Sequence, residues 1–359
     1  MLARLEFSHP ANPVSAPSVD EWWNRWFPAL DLAPATLETY AQQYRRHVRA
    51  RFGDRPLAEV IGLDLTGFAR TLREQGLAPS TVTVVMTVMR DLLTDAASEG
   101  LIAAVPIHHE RHRQTARGVR SRVGVAVGME TALAICDRLP AQEAMVILVA
   151  AFTGMRLGEV CGMRRSMLHV PGSAEDKPSR GPVNDAPWYA VDPMVGAVHE
   201  DVHAHRFFAP AKGGYGRVID LPPFLAELLT GYCRRFGQRD LLFVNRHGDP
   251  IRRTDFMYRW RPACDGILAR YGRDGRLLKP ARPPICPGLR FHDLRHTHKT
   301  ILTELGVPEV LQDERLGHHQ PAMRAVYAHV SPVMRRKMLD RLEDLWCGCR
   351  PFGLRGSRI

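Results

Sequence analysis

The stretch His292-Asp293-Leu294-Arg295-His296-Thr297 combines two imidazoles with a guanidinium and begins a segment whose pattern predicts a helix. We expect this helix to end at Gly306, because glycine readily adopts the left-handed conformation that closes many helices. Positions 292 and 295 are an i, i+3 pair, so His292 and Arg295 lie on one helix face. The helix therefore presents a histidine and an arginine side by side.

The segments that follow extend this arrangement toward a tyrosine. Pro308 predicts the start of another helix, which Leu316-Gly317 closes, so that His318 lies at its end. Pro321 then opens a short helix that carries Tyr327. These turns are expected to bring His318 and Tyr327 close to the histidine and arginine face.

Such a set of side chains suits the transfer of a phosphoryl group to a tyrosine oxygen. The transition state spreads negative charge over the non-bridging oxygens, and the guanidinium groups of Arg295 and Arg156 can stabilise that charge. A phenol with a pKa of about 10 needs help to lose its proton, and the leaving 5′ oxygen needs to gain one. His292 and Lys212 are the candidates for these proton transfers.

Four separated motifs resemble those of the tyrosine recombinases of the phage integrase family. Thr153-Gly154-Met155-Arg156-Leu157-Gly158-Glu159 resembles the family's first arginine motif, His292–Thr297 its second, and Leu316-Gly317-His318 its third. Tyr327 follows at the expected distance. Several motifs in the family's order are far more specific than one short match.

The resemblance implies a site-specific DNA recombinase or integrase that cleaves and rejoins strands through a 3′-phosphotyrosyl intermediate. Tyr327 would be the nucleophile, Lys212 the general acid, and His292 would assist proton transfer. This chemistry in the family needs no metal and no nucleotide cofactor. The family also implies double-stranded DNA as partner and a homo-tetramer on paired DNA sites, while an accessory directionality factor is left open.

The remaining site residues implied by the resemblance surround the phosphate. Arg156, Arg295 and His318 would hold the scissile phosphate, and Glu159 would support the first arginine. The DNA sequence recognised, and the choice between integration, excision, cassette movement and dimer resolution, are not encoded in these motifs.

The predicted fold class is mainly α with a small β-sheet. Helical periodicity over residues 18–104 predicts a helical bundle, preceded by a tail over 1–17. The resemblance to the family implies that this bundle is a SAM-like core-DNA-binding domain. A basic linker is predicted at 105–122, and it is equally well read as a solvated tether or as a strap along DNA. The candidate DNA-binding residues are arginines of the bundle and of the linker, namely Arg45, Arg46, Arg49, Arg111, Arg113 and Arg117.

The catalytic domain is expected to span residues 123–346 and to be followed by a tail at 347–359. Phe207–Ala209 and Val218–Leu221 predict two short strands, and the glycine-rich segment between them predicts a hairpin turn with Lys212 at its tip. Residues from about 171 to 204 lack clear periodicity and are interpreted as a surface insertion. This insertion lengthens the usual distance from the first arginine motif to Lys212.

The charge balance favours a polyanionic partner. The formal net charge is +11, the sequence pI is about 9.7, and nearly all of the positive charge is arginine, whose planar fork suits phosphate. No apolar run approaches the roughly 20 residues of a membrane span. We therefore expect a cytoplasmic, nucleoid-associated protein with reduced cysteines.

Histidine clusters raise the alternative of a metal site. His199, His203 and His205 are close in sequence, but histidines in such a loop are usually solvated, and His292 and His296 have the i, i+4 spacing of a helical zinc pair. Arginine beside the latter pair would repel a dication. The sequence therefore predicts no metal site.

Three other functions compete with the recombinase. A type IB topoisomerase uses similar chemistry but reseals the same strand, a non-catalytic DNA-binding regulator could keep the fold, and a metal-dependent phosphohydrolase could use the histidines. The full set of catalytic-type residues argues against the regulator.

The final predicted helix leaves its docking surface open. Ser331 can cap a helix begun by Pro332, and Met334, Met338 and Leu342 form an apolar stripe on it. The stripe could equally well pack on its own domain or dock on a neighbouring protomer. We expect that deletion of the residues after Ser331 weakens cooperative assembly on DNA and leaves folding largely intact.

Overall fold

The computed structural model describes residues 16–106, 124–171, 186–201, 205–214, 216–236, 239–318 and 329–349. The chain divides into two compact units, Met1–Val123 and Gly124–Ile359. The predicted fold class, mainly helical with small sheets, is confirmed.

The first unit is a helical bundle whose members begin where the sequence offers caps or prolines. Ser18 accepts a hydrogen bond from the Glu21 amide at 3.2 Å, and the Glu21 carboxylate accepts one from the Ser18 amide at 2.8 Å, which closes both ends of a capping box. The described helices are α1 (Val19–Trp26), α2 (Pro34–Gln43), α3 (Arg49–Phe52), α4 (Gly62–Glu74) and α5 (Pro79–Ser98), with a π-helical turn at Tyr44–Val48 between α2 and α3.

Aromatic side chains fill much of this bundle. Trp23 stacks on Tyr44 with ring centroids 3.8 Å apart, and the Trp26 indole donates to Asp95 at 2.6 Å. Both tryptophans and Tyr44 are buried. The aromatic cluster is therefore packing, and the Trp26 indole and the Tyr44 hydroxyl, which donates to Asp20, have the partners that buried polar groups require.

The second unit surrounds one long apolar helix. Its helices are α6 (Met129–Cys136), α7 (Ala141–Thr153), α8 (Leu157–Cys161), α9 (Pro223–Phe236), α10 (Arg253–Asp265), α11 (Asp293–Glu304), α12 (Glu309–Leu316) and α13 (Pro332–Cys349). Its strands are β1 (Leu168–His169), β2 (Trp188–Val191), β3 (Ala197–Glu200), β4 (Arg206–Ala209), β5 (Arg217–Asp220), β6 (Arg270–Tyr271) and β7 (Leu277–Lys279).

Helix α7 occupies the centre of this unit because it has no polar side. Every residue from Glu143 to Thr153 is buried. The helix ends at Gly154, which has φ of 69° and whose position leaves no room for a side chain, since a Cβ there would lie 2.5 Å from a Leu316 methyl. The close contact fixes the first arginine motif against the end of α12.

The strand pairing differs from the prediction. β5 pairs with β2, through Trp188↔Asp220 to Val191↔Arg217, and β4 pairs with β3, through Ala197↔Ala209 to Glu200↔Arg206. The two segments expected to pair with each other thus belong to different ladders. Lys212 lies in a turn between β4 and β5 but not at the tip of a hairpin formed by them.

The interpretation of the whole of 171–204 as a surface insertion is also wrong in part. β2 and β3 come from this segment, and Tyr189, Val191 and Ala197 are buried in the main core. The strands are too short, and too interrupted by a turn, for their alternation to stand out in the sequence.

Helix α13 packs on its own unit. Trp346 is 3% exposed and stacks on Phe224 with centroids 4.4 Å apart and an interplanar angle of 7°. Arg335 donates to Asp220 at 2.9 Å and also pairs with Glu314. The helix therefore completes the core of the unit, and truncation after Ser331 should harm folding, contrary to the expectation that it leaves folding largely intact.

Within the described residues, no helix is both long enough and apolar enough to cross a membrane.

Replacing Trp346 with alanine should lower the free energy of unfolding of this unit by about 3 to 5 kcal/mol, because a buried aromatic side chain is removed from a packed core. Urea unfolding followed by circular dichroism measures the effect. Cys347→Ala, at an exposed neighbouring position, is the matched control and should leave the midpoint within error. Equal midpoints for the two variants would show that α13 does not belong to the core.

Candidate active site

Arg295 is the centre of the candidate site. Its guanidinium donates to the Gly154 carbonyl at 2.8 Å and to the Leu316 carbonyl at 2.5 Å, and Arg295 is 5% exposed. Both acceptors lie where a helix ends at a left-handed glycine, since α7 ends at Gly154 and α12 at Gly317. The negative ends of two helix dipoles thus face one buried cation, which offsets part of its loss of hydration.

The surroundings of Arg295 nevertheless disfavour its charged form. Burial, together with the nearby Arg156 cation, lowers the pKa of Arg295 to about 9, so the group stays protonated at neutral pH. Of its five N–H groups, three have acceptors: the two carbonyls and His318. The other two have no acceptor among the described residues and are available to an anion.

His318 is held in one tautomer by its neighbours. Its Nε2 lies 3.0 Å from an Arg295 nitrogen, and arginine can only donate, so Nε2 is the unprotonated acceptor. Nδ1 then carries the proton and faces an Asp313 carboxylate oxygen at 3.4 Å. Burial and the Arg295 cation lower the pKa of His318, which favours this neutral form. The predicted pairing of Arg295 with His318 is present in the structure.

Arg156 lies at the N-terminus of α8. Its backbone amide donates to Glu159 Oε2 at 2.9 Å, and its guanidinium pairs with Glu159 Oε1 at 3.0 Å. The Arg156 side chain is 23% exposed while Glu159 is 1% exposed. Glu159 therefore holds both ends of the residue and leaves part of the guanidinium open to the surface.

A second arginine shares the same carboxylate and was not expected from the sequence. Arg217, the first residue of β5, donates to Glu159 at 2.7 and 3.1 Å, and also to the Arg315 carbonyl at 3.0 Å. The hydrogen bonds from both arginines keep the pKa of Glu159 below its usual range although burial acts in the opposite direction. Arg217 thus connects the first arginine motif with the helix that leads to His318.

A second buried pair, Arg315 and His298, connects α7, β5 and α12. Arg315 donates to the Phe152 carbonyl at 2.8 Å, to the Asp220 carbonyl at 2.7 Å and to His298 Nε2 at 3.0 Å. His298 donates from Nδ1 to the Ala151 carbonyl at 2.9 Å, and burial holds its pKa well below the usual range. The second histidine in the sequence His296-Thr297-His298 could have pointed to this role, but its burial could not be read from spacing.

His292 occupies the N-cap position of α11 without forming a side-chain capping hydrogen bond, and it lines a cleft. The cleft has a volume of about 630 Å³, and its lining includes Arg261, Arg290 and Phe291. The His292 ring lies 5.2 Å from that of His296, edge to face. Although part of the ring is exposed, desolvation and the neighbouring His296 lower the pKa of His292. A neutral imidazole at this position can accept a proton.

The other predicted catalytic residues are placed differently. Lys212 is exposed in the turn after β4, with no described contact to Arg156 or Arg295. Tyr327 lies outside the described residues. The structure therefore brings together Arg156, Glu159, Arg295 and His318, while the positions of the nucleophile and the general acid relative to them stay predictions.

The candidate DNA-binding arginines fall into two groups. Arg45, Arg46 and Arg49 are exposed in the first unit, and Arg49 pairs with Asp20 at 2.8 Å. The linker arginines, Arg111, Arg113 and Arg117, lie outside the described residues.

Two of the three loop histidines have ordinary partners. His199 Nε2 lies 3.0 Å from the Pro210 carbonyl, and His205 Nδ1 lies 3.1 Å from Asp201. His203 lies outside the described residues.

Part of the second unit is similar to one known protein family. Residues 198–333 match the model of the phage integrase family, a span that contains every predicted catalytic position except Arg156. The chain is similar to the phage integrase family over this span. An integrase of Mycobacterium phage FRAT1 is 21% identical over 338 residues, which cover 92% of this chain and 90% of that protein. The tyrosine recombinase XerD of Oceanobacillus iheyensis is 23% identical over 330 residues, which cover 88% and 89%.

Solved structures share the fold of this chain. The integrase of transposon Tn1549, solved in complex with a circular intermediate DNA, superposes with a TM-score of 0.63 at 15% identity, and the alignment covers 90% of this chain and 99% of that one. A lambda integrase dimer bound to a core site gives a TM-score of 0.54 at 17% identity, with 87% and 95% covered.

Replacing Arg217 with lysine should slow covalent DNA attachment by about tenfold to a hundredfold, because a lysine cannot hold both oxygens of Glu159 and Arg156 then loses its fixed position. Single-turnover trapping of the adduct measures the rate. The defect should shrink on a methylphosphonate substrate, which carries less charge for Arg156 to stabilise.

The matched control is Arg164→Lys, which alters an arginine paired with Asp240 at 3.3 Å elsewhere in the unit. It should leave the rate unchanged on both substrates. An Arg217→Lys defect of equal size on phosphate and methylphosphonate would indicate a structural role only.

Proposed function

We propose that this chain is a site-specific DNA recombinase that cleaves and rejoins strands through a 3′-phosphotyrosyl intermediate, with Tyr327 as nucleophile. The observation that carries the proposal is the cluster of Arg295, His318 and Arg156, in which a buried cation keeps two N–H groups free beside a partly open arginine. A phosphodiester is the anion that such a fork fits, and the family's members named as integrases and recombinases support this substrate.

The reaction balances without any group beyond protein and DNA. The Tyr327 oxygen attacks phosphorus, and the bond from phosphorus to the 5′ oxygen breaks. The phenolic proton passes to neutral His292, and Lys212 delivers a proton to the leaving 5′ oxygen. Arg156 and Arg295 stabilise the charge that grows on the non-bridging oxygens. Attack by a 5′ hydroxyl of a partner strand reverses these steps and releases the tyrosine.

The same proposal includes an assembly on DNA. A lambda integrase tetramer has been solved bound to a Holliday junction, and this chain superposes on it with a TM-score of 0.53. We propose that this chain likewise acts as a tetramer on paired duplex sites, with Arg45, Arg46 and Arg49 of the first unit on the phosphate backbone. Nucleoid association follows from such binding.

Replacing Tyr327 with phenylalanine should abolish the covalent adduct while DNA binding persists, since only the nucleophilic oxygen is lost. The protein is incubated with nicked duplexes made from the DNA that flanks its gene, and adducts stable to detergent are resolved on a denaturing gel. The wild-type adduct should leave a free 5′ hydroxyl on the DNA.

An adduct of undiminished yield with the phenylalanine variant would reject Tyr327 as nucleophile. Strand exchange between two duplexes, as opposed to relaxation of supercoiled plasmid without site preference, separates a recombinase from a type IB topoisomerase.

The pH dependence of cleavage should report the proton acceptor. Because the pKa of His292 is lowered, its neutral form dominates at neutral pH, and activity should fall only as pH drops below the ordinary imidazole value of about 6.5. The rate constant for adduct formation is measured between about pH 5 and 8, at protein concentrations too low to saturate the DNA. Under these conditions its pH dependence reports the pKa values of the free enzyme.

In His292→Gln the rate of adduct formation should be lower, and the acidic limb of the profile, which is the decrease in rate at low pH, should shift or flatten. The limb that remains belongs to His318, whose pKa is also lowered. An unchanged profile in the glutamine variant would exclude His292 from proton transfer.

A further inference from the structure

A two-stranded ribbon projects from the second unit just before the second arginine motif. β6 and β7 pair antiparallel with each other, through Arg270↔Lys279 and Tyr271↔Leu277, and form a sheet of their own. Their residues are exposed on both faces. A ribbon with no covered face gains no stability from a core, so the residues at its base must fix its position. Its exposed faces are available to a binding partner.

The base of this ribbon is firmly attached. Ile267 and Arg282 exchange backbone hydrogen bonds at 3.0 and 2.9 Å. Gly266 has φ of 77°, and a Cβ there would lie 2.5 Å from the Arg282 carbonyl. Arg138 on the loop after α6 donates to the Ala263 and Pro283 carbonyls at 3.2 and 2.7 Å. The ribbon is thus held at a fixed site on the unit and is not a loose loop.

The charge of the ribbon is strongly one-sided. Residues 266–284 contain one carboxylate, Asp274, which accepts from the Arg276 amide at 3.1 Å within the terminal turn. The cations of the ribbon are Arg270, Arg273, Arg276, Lys279 and Arg282. All but Arg282 are exposed, and none forms an ion pair with a carboxylate in the described part of the chain.

The register separates two kinds of side chain. Residues directly opposite each other in an antiparallel pair point to the same face. Arg270 and Lys279 therefore lie side by side, as do Tyr271 and Leu277, which are 62% and 50% exposed, and the register shifts between the two pairs. A two-stranded ribbon has the width that the major groove of duplex DNA admits, and cations at its edges then reach phosphates on the groove walls.

We propose that the ribbon of residues 266–284 is a DNA-binding element that contacts the sugar and phosphate backbone of duplex DNA. Its unpaired cations are complementary to the polyanion, and the groove covers the exposed apolar side chains of Tyr271 and Leu277. This inference rests on the proposed function in taking DNA as the substrate. Contact with a second protein copy is the competing explanation, which the test separates.

The test uses the full chain with Tyr327→Phe, so that no covalent step affects binding. The variant Arg270→Gln/Arg273→Gln/Arg276→Gln removes three ribbon cations. Its binding to a fluorescein-labelled random-sequence duplex is measured by anisotropy at a series of salt concentrations. The slope of log affinity against log salt should become shallower by about 2 to 3, because each lost phosphate contact removes about 0.9.

The matched control, Arg234→Gln/Arg235→Gln/Arg336→Gln, removes the same net charge from exposed positions on α9 and α13. It should leave the slope unchanged. Arg270→Lys/Arg273→Lys/Arg276→Lys should keep the wild-type slope, since it preserves the charges. Thermal unfolding midpoints of all three triples should match the parent because the replaced side chains are solvent-exposed.

Equal slopes for the ribbon triple and the control triple would overturn the proposal. A loss of self-association in the ribbon triple with an unchanged salt slope would overturn it in favour of a protein interface. Binding needs no cleavage, so failure of the wild type to form adducts would reject the proposed function without altering this result. Adducts combined with an unchanged slope would reject the ribbon alone.

Discussion

The contact on which the site depends is that of one guanidinium with the ends of two helices. Arg295 can stay charged while buried because the carbonyls of Gly154 and Leu316 point their negative dipoles at it. The same contact fixes the first and third motifs at hydrogen-bond distance from the second. A neutral side chain at this position would leave two buried carbonyls without donors, so the chemistry and the fold share a single requirement.

Around this contact lies a polar network that the apolar core encloses. Arg315 and His298 satisfy the carbonyls at the end of α7, and Arg217 shares Glu159 with Arg156. Each of these hydrogen bonds restricts the movement of the loops that form it. The network explains why the loops around Arg156 and His318 can be short and still keep a fixed geometry.

The sequence was sufficient for α11 and α12, which carry Arg295 and lead to His318, because the helix ends near Gly306 and at Gly317 leave strong local signals. It was not sufficient for the strands. β2 and β3 are four residues long each and are separated by a turn, so pairing between distant segments decided their structure. Arg217 escaped notice for a related reason, because its partner Glu159 is far away in sequence and nothing local marks the residue as buried.

Helix α7 also affects how the chain is made. A helix that is apolar on all sides has no stable solvated form, and Phe152 near its end faces Trp346 with ring centroids 6.0 Å apart. During translation α7 leaves the ribosome long before α13 has been synthesised, so its surface stays uncovered until the last helix arrives. The core of the second unit can form only after synthesis of the chain has reached α13. A nascent or prematurely terminated chain therefore exposes the apolar surface of α7, to which chaperones would bind.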